Sequence, residues 1–273
     1  MKVKKKYSFK DGSQIWRILL STTDKIIIET RNPDKKEAFY NCLDLYSGKK
    51  IFTGFQPGEK YWVGIETVHD DLIFFHRFTK PDMPGHKDII VFSIESQKIL
   101  WENKDYSFLF VLDNKVYSFV QQFESQKYFT HDLKTGELIE ELKITDEEII
   151  NLNDKYESQK DYSDYLFPEK FIPNIADDKI SPIISKMTEG FGIIGDVEYT
   201  VYEKTLLMNY YSKLIGDSLL NRFVAVDIET DKELFNEILN ADANAFVPDS
   251  FFVYKNLIIL LKEKSKVIVC ELI

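Results

Sequence analysis

One short unit recurs along the chain and limits its possible folds more than any other feature. It is a β-rich run, an anchor residue, two further residues, Ser or Thr, a turn residue, and a second β-rich run. The copies are Leu43-Asp44-Leu45-Tyr46-Ser47-Gly48, Phe92-Ser93-Ile94-Glu95-Ser96-Gln97, His131-Asp132-Leu133-Lys134-Thr135-Gly136 and Val226-Asp227-Ile228-Glu229-Thr230-Asp231, with a weaker one at Cys270-Glu271-Leu272. The Asp and Ser/Thr side chains can accept from nearby backbone amides and hold a tight reversal, which Gly or a residue tolerant of left-handed backbone completes. A second marker lies upstream of each anchor. It is a short polar turn at Asp24-Lys25, Asp70-Asp71, Asp113-Asn114, Lys204-Thr205 and Lys255-Asn256, flanked by strand-like runs such as Ile26-Ile27-Ile28 and Leu257-Ile258-Ile259-Leu260-Leu261.

The unit therefore reads as strand a, polar turn, strand b, variable loop, strand c, Asp-x-x-Ser/Thr turn, strand d. Four antiparallel strands in each repeat of roughly 40–50 residues is the pattern of a propeller blade. The expected fold is all-β: a five-bladed β-propeller within one domain over 1–273. The stretch Lys5 to Phe9 would pair beside Lys266 to Leu272, close the ring and remove both open sheet edges. One interval between anchors is twice the others, and residues 143–189 fill it. There Thr145-Asp146-Glu147-Glu148 fits a capping box and Ser181-Pro182 a second helix start, so a partly helical insertion is expected between blades three and four. A degenerate sixth blade is the alternative.

The Asp-x-x-Ser/Thr-Gly units resemble quinoprotein-type and WD-type propeller repeats. Quinoprotein repeats place a docking tryptophan after the turn. Here those positions are Phe52, Trp101, Glu140 and Phe235, so no quinone is implied, and no cofactor is expected. The run Trp62-Val63-Gly64-Ile65-Glu66, then Leu72 to His76, Pro81, Pro84, Lys87 and Trp101, is similar to an uncharacterised bacterial family known only as a domain of unknown function. That resemblance implies no activity.

Charge narrows the partners. The 273 residues carry a formal net charge of −10, which repels phosphate backbones and disfavours nucleic acid. The cluster Lys2, Lys4, Lys5 and Lys6 reads as a solvated terminus. No apolar run approaches the ~18–20 residues that span a bilayer. The run Ile15 to Leu20 is short and broken by Arg17, so it is no signal peptide. A cytoplasmic monomer without membrane association is expected. Cys42 and Cys270, in β-like runs, read as buried free thiols.

No catalytic signature stands out. Gly190-Phe191-Gly192-Ile193-Ile194-Gly195 has dinucleotide spacing but leads into strand-like sequence, where that mechanism needs a helix N-terminus. His69, His76, His86 and His131 show no tight ligand spacing, so no metal site is expected. Variable segments on one face of the propeller then define the binding region: Arg31 to Glu37, Arg77 to Asp88, Leu214 to Leu220 and the insertion. The densest, His76 to Asp88, supplies His76, Arg77, Asp82, His86 and Lys87, with Pro81 and Pro84 stiffening the loop. Arg77, His86 and Lys87 would meet an anionic group. Trp62 and Glu66, on a neighbouring strand, complete the candidate ligand site. The expected function is non-enzymatic binding of an unknown protein or small molecule. The alternative is a glycan-active hydrolase drawing on Glu66, Asp105, Asp196, Glu198 and Asp249, which needs two facing carboxylates.

Overall fold

A computed structural model describes the chain apart from residues 81–82, 124, 174–177 and 214–217, and describes only the backbone of residues 80, 83 and 84. Asp82, and most of the segment Leu214 to Leu220, thus lie outside the described residues. The first strand, β1 (Val3–Phe9), precedes an antiparallel sheet of β2 (Gln14–Ser21), β3 (Lys25–Asn32), β4 (Glu37–Asp44) and β5 (Lys50–Phe55) in sequence order. The next sheet holds β6 (Val63–His69), β7 (Leu72–Lys80), β8 (Met83–Ser93), β9 (Lys98–Asn103), β10 (Ser107–Leu112), β11 (Lys115–Gln121), β12 (Gln126–Asp132) and β13 (Leu138–Leu142). Its two antiparallel halves meet at one parallel bridge, Ser107 beside Asp88 on β8.

Residues 143–189 contain α1 (Asp146–Ser158), β14 (Tyr165–Leu166), β15 (Glu169–Lys170) and α2 (Ile180–Thr188). The capping box forms as its residues dictate: Glu148 N donates to Thr145 Oγ1 at 3.3 Å, and Thr145 N donates to the Glu148 carboxylate at 2.7 Å. Helix α2 opens at Ile180, one residue before the expected cap, with Pro182 still in the first turn, where no intrahelical N–H is needed. A third sheet runs β15, β16 (Ile193–Tyr202), β17 (Thr205–Lys213), β18 (Leu219–Asp227), β19 (Lys232–Ala243). A fourth runs β1, β22 (Lys266–Leu272), β21 (Leu257–Lys262), β20 (Phe251–Tyr254), β14.

The turn chemistry is local and forms as the residue types require. Asp44, Asp132 and Asp227 each accept at Oδ1 from the backbone N–H three residues on, at 2.8, 2.8 and 2.9 Å. Gly48, Gln97, Gly136 and Asp231 then take positive φ between 52° and 72°.

The closed five-bladed propeller is not formed. The strands sort among the described residues into four separate sheets of four, eight, five and five strands, none closed or curled. The N-terminal stretch does pair with β22, from Val3 beside Leu272 to Phe9 beside Val267, but this adds one strand to one sheet. The reason is physical. Each repeat dictates its own hairpins through short-range turns, whereas the joining of one meander to the next depends on contacts between repeats. The bridge at Ser107 fuses the second and third repeats, and β14 and β15 extend two other sheets from the inserted segment.

The chain divides into two compact units. One comprises Met1–Gln14 with Tyr162–Ile273, the other Ile15–Asp161. In the second unit, Ile27, Tyr40, Cys42, Val63, Ile65, Phe75, Ile90 and Phe92 form a fully buried cluster across β3, β4, β6, β7 and β8. Each such side chain taken from water contributes about 1.5–3 kcal/mol. In the first unit, Ile180, Ile183 and Ile184 lay the apolar face of α2 on Leu206, Met208, Tyr210 and Val224. No helix among the described residues is long and apolar enough to cross a membrane.

Candidate functional site

The stretch from Arg77 to Asp88 is not a loop. Apart from residues 81–82 it is strand, running to the end of β7 at Lys80 and resuming in β8 at Met83. The alternation of β-branched and aromatic residues continues through Phe78 and Thr79, and pairing continues with it: Arg77 lies beside Lys87 and Phe78 beside His86. A hairpin therefore carries most of the expected site.

Three side chains meet on that hairpin and its neighbour β6. The β6–β7 ladder shifts register between Ile65 and Thr67, which leaves Glu66 at a bulge and re-aims its side chain. Glu66 Oε1 lies 3.0 Å from His76 Nδ1 and 2.8 Å from His86 Nδ1. The two imidazoles stack, with centroids 3.5 Å apart and planes 9° from parallel. Phe78 stands edge-on to both rings, at 4.9 Å from His76 and 5.7 Å from His86, and Trp62 stands edge-on to Phe78 at 6.4 Å. His76 is 3% exposed, and neither ring nitrogen makes a well-aligned hydrogen bond. His86, by contrast, opens to solvent, its side chain 43% exposed.

Behind His76 the room is made by Gly64. A Cβ there would lie 2.8–2.9 Å from the His76 ring and 3.8 Å from an Arg31 nitrogen. Arg31 donates to Glu29 at 2.7 Å and to the carbonyls of Tyr61 and Val63, and Arg17 donates to the carbonyl of Ile65. Burial pushes the Glu29 carboxyl above its ordinary value despite Arg31 beside it. Burial also works to raise the Glu66 carboxyl, but the His76 and His86 imidazoles outweigh it and hold the group below the ordinary range.

The remaining expected residues divide. Arg77 donates to Asp88 at 2.9 Å and to Glu102 at 2.7 Å. Burial opposes its charge, but these two carboxylates raise it above its ordinary value, and the bond from Arg77 lowers Glu102. Its charge is therefore spent within the protein. Lys87, next to His86, is exposed and by strand alternation faces away from the His76–His86 cluster. The expected anion-binding trio of Arg77, His86 and Lys87 is thus not assembled: one member is paired, one faces elsewhere, and the third contacts Glu66.

The candidate carboxylates of the hydrolase reading are spread over both compact units. Glu66 and Asp105 belong to the second, Asp196, Glu198 and Asp249 to the first. Asp196 is bonded to Lys170 at 2.7 Å. Glu198 is raised above its ordinary value, first by burial and then by Asp249.

Sequence reasoning missed Gly64 as a space-maker and Glu29 altogether, and it held Arg31 and Phe78 only as members of variable segments, without a role of their own. It also missed that His76 and His86 face each other. The available signal was two histidines at equal sequence distance on either side of Pro81, flanking strand-like residues that can pair. The bulge at Glu66 had none.

Comparison with known proteins adds little to this chemistry. The family described as Domain of unknown function (DUF4905) matches residues 20–101, a stretch that spans Glu66, His76 and His86. No curated protein matches the chain. Among solved structures the chain is similar to the uncharacterized protein lmo1340 from Listeria monocytogenes EGD-e, at 14% identity and a TM-score of 0.36, over 92% of this chain and 75% of that one.

Proposed function

We propose that the protein is a non-enzymatic binding module whose ligand sits on β6, β7 and β8 at Glu66, His76 and His86. The observation that carries this reading is His76: a buried imidazole with no aligned hydrogen bond, beside a carboxylate and a second, solvent-facing imidazole. Buried polar groups are normally satisfied by aligned hydrogen bonds, and an imidazole that only touches a carboxylate, beside a solvent-facing histidine, supports a place for an incoming partner. Trp62 and Phe78 frame the cluster with apolar rings, as ligand sites commonly do. The local charge favours a cationic or hydrogen-bonding group over an anion, because Arg77 is already matched by Asp88 and Glu102. The hydrolase reading has no comparable support: Glu66 is engaged by two histidines and Asp196 by a lysine.

A thermal-shift comparison tests this. The full chain and its Glu66→Gln/His86→Ala variant are melted with inorganic phosphate, putrescine, glucose or zinc sulfate. At least one probe should raise the wild-type Tm by several degrees and leave the variant unmoved. If no probe separates the two proteins, or if the wild type cleaves nitrophenyl glycosides, the reading is overturned.

A further inference from the structure

The donor set at this site permits a more specific assignment, which rests on the reading of the β6–β8 face as the ligand site. We propose that Glu66, His76 and His86 bind one divalent transition-metal ion of the zinc class, with a fourth position left for solvent or a further ligand.

Two imidazoles and one carboxylate form a mixed nitrogen and oxygen set. Zinc-like ions favour such sets, whereas calcium and magnesium favour oxygen alone. The donor atoms lie within 4.8 Å of one another, and Oε1 lies 2.8 and 3.0 Å from the two Nδ1 atoms. Bonds of about 2.0–2.1 Å in a tetrahedron hold neighbouring donors about 3.3 Å apart, so each carboxylate–imidazole distance is within about half an ångström of that value, and the orientation of the rings is what must change. The second observation is independent of spacing. His76 Nδ1 sits close to the carboxylate without the alignment of a hydrogen bond, and the ring is almost wholly buried. An ion between the two groups would satisfy both.

The stacked rings indicate which residue moves. Parallel imidazoles aim their lone pairs side by side, so sharing one ion requires one ring to turn. His76 is fixed by packing, by Phe78 on its edge and by Gly64 behind it. His86 is the free member, and tilting it out of the stack brings its Nδ1 toward the shared point while keeping the ion reachable from solvent. Two of the three nearby arginines are matched by carboxylates, Arg31 by Glu29 and Arg77 by Asp88 and Glu102, while Arg17 donates to the Ile65 carbonyl.

The test uses the full chain after chelator treatment and dialysis. Calorimetric titration with zinc sulfate should give one ion per chain, and cobalt(II) should develop the strong visible absorption of a four-coordinate site. Glu66→Gln and His86→Gln should each weaken zinc binding by at least about tenfold. His69→Gln, at the exposed end of β6, should leave it unchanged. Because His76 is buried, its variant is judged only after circular dichroism shows a native fold; His86→Gln decides the matter without that risk. Less than one zinc per chain, or unchanged affinity in both His86→Gln and Glu66→Gln, overturns the metal assignment. Variant-sensitive binding of putrescine, glucose or phosphate without zinc binding would sink the metal and leave the binding face standing. Failure of every probe would sink both.

Discussion

His131, on β12, is fully buried, with Nε2 2.9 Å from Ser118 Oγ and the Tyr106 ring edge-on at 4.6 Å. Burial holds its imidazole below the ordinary value of 6.5. The unfolded chain therefore takes up a proton near pH 6.5 that the native protein refuses until lower pH. Stability is greatest above 6.5 and falls as the pH drops through that value toward the depressed one, by at most about 1.4 kcal/mol per pH unit from this group. Urea denaturation at pH 8, 7, 6 and 5 should show this loss in the wild type and a flatter slope in His131→Gln. At this scale the sequence is partly legible. The anchor aspartates declare their turn because their partners lie two and three residues away. The meeting of Glu66 with His76 and His86 depends on a bulge and a cross-strand register, which no short window of residues reports.

The repeated turn is an element in its own right, and its glycine serves two ends. Gly136 takes a φ of +72°, and a Cβ there would come within 2.4–2.7 Å of the Trp101 ring. That indole donates from Nε1 to the Leu133 carbonyl at 3.1 Å, which ties β9 to the turn after β12. Gly136→Ala should therefore cost about 1–3 kcal/mol from the clash, beyond the backbone strain. Gly12, at +94° with open space around it, provides the control. Gly12→Ala carries strain alone, of order 1 kcal/mol. Chemical denaturation of the two variants should rank Gly136→Ala as clearly the less stable; equal losses would mean that the indole yields. Elements of this kind were readable in advance: the polar turns at Asp24, Asp70, Asp113 and Lys255 all adopt positive φ, and the capping box opens α1. The length of the strands β7 and β8 was not, because the prolines and charged residues of that stretch read as a loop in sequence.

At the scale of the whole molecule, repetition in sequence did not dictate a ring. The turns specify meanders, and the meanders combine according to sparse links: the bridge at Ser107, the two-residue strands β14 and β15, and the pairing of β1 with β22. β14 pairs with two residues of β20 and β15 with two of β16, whereas β1 runs along most of β22 and occupies backbone donors there that would otherwise invite association. Deleting residues 1–9 should bare β22. The shortened chain should melt at lower temperature and show association that rises with concentration in sedimentation velocity. A truncated protein that melts and sediments like the full chain would show that β1 adds nothing.

The pairing of Val3–Phe9 with Val267–Leu272 also sets an order of events during synthesis. Val3–Phe9 is translated before all of Ile15–Asp161, a contiguous unit with a buried core of its own, and its partner strand comes only after that unit. Until β22 emerges, β1 lacks the strand it pairs with, and its backbone donors stay open to another chain.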